Sequence, residues 1–499
     1  MKAFLMYRDS DFDMQQKLPA NEQALIQDLA LDTLFAAMAR GDKLLFEVAK
    51  KAVLTGLTNP DGIVYRQRIL QDCLQNASII REIYAILAES IEGRKKYYYS
   101  FFSKYPAAIL HQAIEQLELF FDTLKKMRTI ADQYADHFVS EGFTVFFAML
   151  RRELDDEYLS RIEEYLKELT FRDGVLISAE LGKGNKGSNY VLRKNSEEGK
   201  HGWRQRFFGM KTPVYVVHIH ARDESGARAL AELRDRGINL VADVLARSTD
   251  HIRSFFTILR TELAFYIGCM NLQEQLVNMG APISFPLPLN LGEPGHSFQG
   301  LYDVCLALSL KQRIVGNKGK PDNKKLVIIT GANQGGKSTF LRSIGLAQLM
   351  LQCGMFVPAE ALSASVCSGL FTHYKREEDA AMNSGKLDEE LSRMSDIADH
   401  ITANSLILFN ESFAATNERE GAEIARQIVS ALMEKQIKIF FVTHQYEFAH
   451  GFYEKKSEDI IFLRAERQND GERTFKIVEG EPLQTSYGED LYNKIFGTA

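Results

Sequence analysis

Cysteine and proline are scarce in this chain of 499 residues, and so are uninterrupted apolar runs. The five cysteines, Cys73, Cys269, Cys305, Cys353 and Cys367, are scattered, odd in number and never spaced as CxxC. That pattern argues against a disulfide framework or a zinc site and suits buried thiols in a reducing compartment. With only eleven prolines and no low-complexity tract, disorder is excluded as the main theme. No apolar stretch approaches the roughly 18 residues of a membrane span, and the first residues lack the apolar core of a signal peptide. A cytoplasmic protein with no membrane partner is therefore expected. Charge of one sign is lacking as well. Lys and Arg number 60 against 66 Asp and Glu, so any nucleic-acid contact must come from a local basic surface.

What is there is an ordinary globular balance, 45% hydrophobic and 25% charged, at a length that suits two or three domains. Residues 1–24 are mixed and irregular. Over 25–169 the pattern is helical, with Leu25, Ile26, Leu29, Leu31, Leu34 and Phe35 forming an apolar stripe near the helical period, and Asn59-Pro60 breaking the run. Residues 170–222 carry short β-like runs, Val175-Leu176-Ile177, Tyr190-Val191-Leu192 and Val214-Tyr215-Val216-Val217, and read as a β-containing insertion. Helical texture returns over 223–285. Pro282, Pro286, Pro288 and Gly292-Glu293-Pro294-Gly295 mark a boundary, and 286–499 alternates strands with helices. The expected fold is thus a multidomain one, all-α in its helical core and lever and α/β in its C-terminal part. Asp470-Gly471 reads as a hairpin turn at the edge of that last sheet.

The strongest motif is Gly331-Ala332-Asn333-Gln334-Gly335-Gly336-Lys337-Ser338, followed by Thr339, which fits GxxxxGK[ST]. It follows the apolar run Leu326-Val327-Ile328-Ile329, as a parallel strand buried on both faces requires. A helical pattern through Leu341, Ile344, Leu346 and Leu349 comes next. Glycines let backbone N–H groups approach phosphates closely, and the helix N-terminus adds partial positive charge. Lys337 then reaches the β- and γ-phosphates of ATP, and the Ser338 hydroxyl ligates Mg²⁺.

A second apolar run, Ser405-Leu406-Ile407-Leu408-Phe409, ends in Asn410-Glu411. A Walker-B strand has this form, with an Asp where Asn410 stands. The amide oxygen of Asn410 can still accept from a metal-bound water but brings no negative charge, so weakened Mg²⁺ binding is expected. Glu411 stands in the place of the general base. Beyond the strand Ile439-Phe440-Phe441-Val442, His444 is positioned to sense a γ-phosphate.

At this point the sequence resembles a known family. GANQGGKST, LILFNES, TNEREG and THQYEF follow the order and spacing of the motifs in the MutS family of DNA mismatch-repair ATPases. The tail, Phe475-Lys476-Ile477-Val478-Glu479-Gly480 and then Ser486-Tyr487-Gly488, is similar to that family's ending. Asp32-Thr33-Leu34, Asp42-Lys43 and Tyr65-Arg66-Gln67 resemble the start of its helical core. The resemblance implies a P-loop α/β domain of MutS- and ABC-like type, ATP hydrolysis, and a composite site completed by a second subunit of a homodimer. The trans-acting element maps to Ser384, although Leu387-Asp388-Glu389-Glu390 departs from the family's pattern, and Ser384 reads equally as a helix N-cap. The family's mismatch reader carries a Phe-x-Glu wedge. No FxE occurs in the roughly 25 residues ahead of the helical core, so a short paralogue without base-level mismatch reading is expected.

Between 183 and 211, the basic residues Lys183, Lys186, Arg193, Lys194, Lys200, Arg204, Arg206 and Lys211 are opposed only by Glu197 and Glu198, with Trp203, Phe207 and Phe208 interleaved. Such a segment suits sequence-independent contact with the phosphates of double-stranded or branched DNA, and equally a solvated charged hairpin. Two functions stay open at this level. One is a dimeric DNA-associated ATPase clamp in mismatch repair or recombination. The other is an ATP-gated dimerising interaction protein in which Asn410 makes hydrolysis negligible.

Overall fold

The computed structural model describes residues 1–92, 105–171, 174–193, 215–376, 385–468 and 473–483. The chain forms two compact units. One comprises Met1–Ala3, Glu82–Asp136 and Val145–Arg260, and the other Phe4–Arg81, His137–Thr144 and Thr261–Ala499.

The first unit is built mainly on α6 (Pro106–Tyr134), α8 (Asp156–Leu169) and most of the 55-residue helix α9 (Glu224–Asn278), with the hairpin β1 (Leu176–Leu181) and β2 (Gly187–Arg193). Leu110, Ile114, Leu166, Ile238 and Ala242 form its buried cluster, and Val175 and Leu192 pack on it from the hairpin. Ile177 pairs with Leu192 across the strands. A Cβ on Gly237 of α9 would stand 2.3 Å from Ile177 Cδ1, so only glycine lets the hairpin lie this close to the helix. The Lys125–Glu163 ion pair joins α6 to α8. Tyr215, Val216 and Val217 are exposed and form no strand, contrary to the expectation for that run.

The second unit begins with helices α1 (Glu22–Asp28), α2 (Leu31–Ala39), α3 (Lys43–Leu54) and α4 (Pro60–Gln75); α5 (Ala77–Glu92) and α7 (Glu141–Glu153) run partly in it. Asp42 caps α3 through the Leu44 and Leu45 amides. The Asn59-Pro60 break is a helix start, with Asn59 accepting from the Asp61 amide and proline in the first turn. Ahead of these helices, residues 4–12 are irregular but not loose, since Leu5 and Met6 are fully buried.

Two sheets follow. The larger has the order β12–β11–β6–β10–β9–β8: β6 (Leu326–Gly331), β8 (Leu370–Tyr374), β9 (Leu406–Asn410), β10 (Lys438–Val442), β11 (Ile460–Arg467) and β12 (Arg473–Glu479). The five strands from β11 to β8 are parallel, and only β12 pairs antiparallel, on β11. The turn between β11 and β12 that Asp470-Gly471 was expected to make lies outside the described residues. The smaller sheet has the order β3 (Leu287–Leu289), β7 (Ala361–Ser365), β4 (His296–Leu301), β5 (Asn317–Gly319). The connecting helices are α10 (Val304–Leu310), α11 (Lys337–Gln352), α12 (Lys386–His400), α13 (Glu418–Glu434) and α14 (Tyr446–Tyr453). The apolar runs of β6, β9 and β10 are buried because helices cover both faces of a parallel sheet. Phe409, Phe441 and Phe448 stack in succession at 5.0 and 4.4 Å. Truncating any one of them to alanine is expected to cost about 3–5 kcal/mol.

All five cysteines are buried and free. Among the described residues, no helix is long and apolar enough to cross a membrane.

Candidate functional site

The glycine loop leaves β6 at Gly331, turns, and enters α11 at Lys337. Two of its glycines are required. Gly331 has φ +106°, and a Cβ there would stand 2.9 Å from the Ala465 backbone nitrogen. Gly336, the residue before α11, has φ +85°. Lys337 is almost fully buried, and its ammonium donates to the carbonyls of Gly331 and Ala332, both at 2.9 Å. Burial lowers its pKa, the Glu411 carboxylate opposes that, and nearby Arg473 adds to it. The loop thus holds a cation ready to exchange two carbonyl partners for anionic oxygens.

Sheet order brings the other motif residues to this point. β10 lies between β6 and β9, and all three run parallel, so their C-terminal ends meet at one edge. In open α/β sheets ligands bind outside that edge. β9 delivers Asn410, whose side-chain oxygen accepts from the Ser338 hydroxyl at 2.8 Å. The Glu411 amide donates to Val442 O on β10 at 2.9 Å. His444, just past β10, has its Nδ1 3.9 Å from Glu411 Oε1, and both side chains are open enough to meet a ligand. Interaction with His444 holds the Glu411 carboxyl below its ordinary range against the opposing effect of burial; Lys337 and Lys375 act in the same direction.

A cavity of about 730 Å³ opens here, lined by loop residues 333–340, by Glu411, and by Tyr302, Ile314, Val315 and Phe475. Phe475 is half exposed at φ +58° and lies close to Gly336, presenting an aromatic face to the cavity.

Of the residues singled out from sequence, the structure brings together Gly331 through Thr339 with Asn410, Glu411 and His444. Lys183, Lys186 and Arg193 are exposed on the β1–β2 hairpin of the first unit, with Arg193 Nε donating to Ser178 Oγ at 2.9 Å. Ser384, Lys194, Arg204 and Arg206, together with Trp203 and the Ser486-Tyr487-Gly488 turn, lie outside the described residues. Sequence reasoning missed Phe475, Ile314 and Val315 as cavity walls, and missed His373 and Ser412 beside the Glu411 turn. Nothing local in those stretches signals them.

Two family models match the chain. Residues 58–279 match the MutS2 N-terminal domain, and residues 327–495 match MutS domain V. Among curated proteins, the chain is 31% identical over 206 residues to the DNA mismatch repair protein MutS of Alkaliphilus metalliredigens (strain QYMF), covering 38% of this chain and 23% of that protein. It is 34% identical over 186 residues to the protein of the same name from Prochlorococcus marinus (strain MIT 9301), covering 36% and 20%. It is 32% identical over 171 residues to the MutS protein homolog 4 of Mus musculus, covering 34% and 17%. The chain spans less than a quarter of the length of these relatives. The two models between them take in most of the sequence, in the order in which the helical and α/β parts occur, and the chain belongs to the MutS family.

Proposed function

We propose that the chain is a MutS-like ATPase: a P-loop unit of MutS- and ABC-like type that binds ATP, dimerises through that unit, and acts on double-stranded or branched DNA in mismatch repair or recombination. The observation that carries this reading is the convergence of Lys337, Ser338, Asn410, Glu411 and His444 at the ends of β6, β9 and β10. Lys337 neutralises the phosphates once it leaves the two loop carbonyls. The cavity's aliphatic and aromatic wall of Ile314, Val315 and Phe475 suits the base. The Ser338 hydroxyl and the Asn410 amide oxygen fit a hard cation, since both are oxygen donors and they already stand in contact. When bound, Mg²⁺ supplies charge neutralisation across the phosphate oxygens. Glu411, held ionised beside His444, accepts a hydrogen bond from the attacking water and orients it. His444, partly exposed beside Glu411, contacts the γ-phosphate. The names of the curated relatives support a mismatch-repair setting. The exposed Lys183, Lys186 and Arg193 support phosphate contact by the hairpin.

A second reading rests on Asn410. The metal-side pair it makes with Ser338 is neutral, which favours ATP as a ligand that locks a dimer with little hydrolysis. Steady-state phosphate release with and without duplex DNA, using Glu411→Ala as the blank, separates the two. The ATPase reading expects turnover above the blank that rises with DNA. Binding of ATP without turnover above the blank would leave the locking role in its place.

A further inference from the structure

The backbone at Glu411 is in a conformation that side chains other than glycine avoid. Glu411 has φ +54°, and two residues on Phe413 has φ +60°. Left-handed non-glycine residues persist only where their surroundings over-determine them, so the turn Glu411-Ser412-Phe413 must be held from outside.

The holding groups come from three elements. From β8, His373 is fully buried, with Nδ1 2.7 Å from Ser412 Oγ and its ring stacked on Phe413 at 5.1 Å and 18°. From α12, the Glu390 carbonyl lies 2.9 Å from His373 Nε2. From the approach to α14, Gln445 Nε2 donates to Phe413 O at 3.0 Å. Proton bookkeeping fixes the imidazole. Glu390 O only accepts, so Nε2 carries the hydrogen. The Ser412 hydroxyl donates to His373 O at 2.6 Å and lies 2.7 Å from His373 Nδ1. Burial, with the neighbouring charges of Arg393 and Arg376, pushes the ring down to about 4.

We infer that His373 and Ser412 are positioning residues for Glu411: the chain α12 carbonyl, imidazole, serine hydroxyl fixes the strained turn so that the carboxylate stays beside His444 and faces the cavity. The inference rests on Glu411 acting on the water as proposed above. Neither residue touches the nucleotide, so the pair controls the rate and not the affinity.

Two side chains dissect the imidazole. In His373→Asn, the amide stands where Nδ1 is and keeps the Ser412 link. In His373→Gln, it reaches to where Nε2 is, keeps the Glu390 link and loses Ser412. ATP dissociation constants and kcat are measured for the wild type, both variants and Ser412→Ala. The expected result is ATP affinity within about twofold throughout, kcat down about tenfold in His373→Gln and Ser412→Ala, and kcat within about threefold of wild type in His373→Asn, since one lost hydrogen bond misplaces the carboxylate by an amount worth roughly 1.4 kcal/mol. Equal losses in the two His373 variants, losses that track ATP affinity, or an unchanged rate in His373→Gln and Ser412→Ala overturn it. A wild type that binds ATP but does not turn it over removes Glu411 as the acting group, and the positioning role with it. An active wild type with unaffected variants removes the positioning role alone.

Discussion

At Asn410 one atom separates the residue present from the Asp that a Walker-B strand carries. The carbonyl-type oxygen that accepts from Ser338 at 2.8 Å is common to both, so the difference is charge and not geometry. The substitution Asn410→Asp should therefore leave the fold unchanged and raise the Mg²⁺ affinity of the ATP complex, by roughly tenfold for a carboxylate in place of an amide on a hard cation. A Mg²⁺ titration of ATP binding reads this out, and superimposable curves for the two proteins would mean that Asn410 does not face the metal. This residue and its neighbours were legible in the sequence because a glycine loop and the end of a buried strand encode their own backbone. His373, Ser412 and Phe475 were not. A left-handed φ at Glu411 or Phe475 leaves no trace in composition or periodicity, and the residues that enforce it come from other elements.

Among the elements, residues 1–24 show the opposite failure. Their mixed pattern reads as an irregular segment; α1 begins within it at Glu22, and residues 4–12, which form no helix or strand, are tied to distant parts of the second unit. The Glu262 carboxylate on α9 accepts from the Leu5 amide at 2.7 Å and the Phe12 amide at 2.9 Å. Fully buried Arg66 donates to Met6 O at 3.1 Å and to Cys353 O, at the end of α11, at 3.0 Å, with its guanidinium over Tyr7 and Phe265. Tyr65 Oη donates to Phe4 O at 2.7 Å. These partners are 60 to more than 250 positions away, beyond any local pattern. One consequence is a pH dependence. Burial raises Glu262 from an ordinary 4.5 to about 7, outweighing the two amide donors. The folded state therefore binds this proton more tightly than the unfolded chain. Its contribution to stability is complete below about pH 4.5, declines as pH rises toward 7, and is flat above that. Glu262→Gln cannot titrate, so its melting temperature should fall less than that of the wild type between pH 5 and pH 8. Parallel melting profiles over that range would rule out the buried proton.

For the whole molecule, the sequence exposed the alternation of helical and α/β stretches but not how the chain divides. Compact units are assembled from distant segments. Phe4–Arg81 folds with Thr261–Ala499, and Glu82–Asp136 with Val145–Arg260, a division that contacts create and linear texture does not. Strand order was equally out of reach. That β10 separates β6 from β9, and so brings His444 between the glycine loop and Glu411, follows from crossover topology. Family membership joins a helical part and an α/β part in one chain, and the proposed function stands or falls with nucleotide binding by the α/β part. The most direct test is equilibrium binding of ATP in the presence of Mg²⁺ to the wild type and to Lys337→Ala, whose buried ammonium contacts only carbonyl oxygens among the described residues. Saturable binding by the wild type is expected, with a loss of roughly 10- to 100-fold in the variant, the range for a charge-assisted contact. A wild type that binds no ATP, or a variant that binds it equally well, would mean that the glycine loop is not a phosphate site.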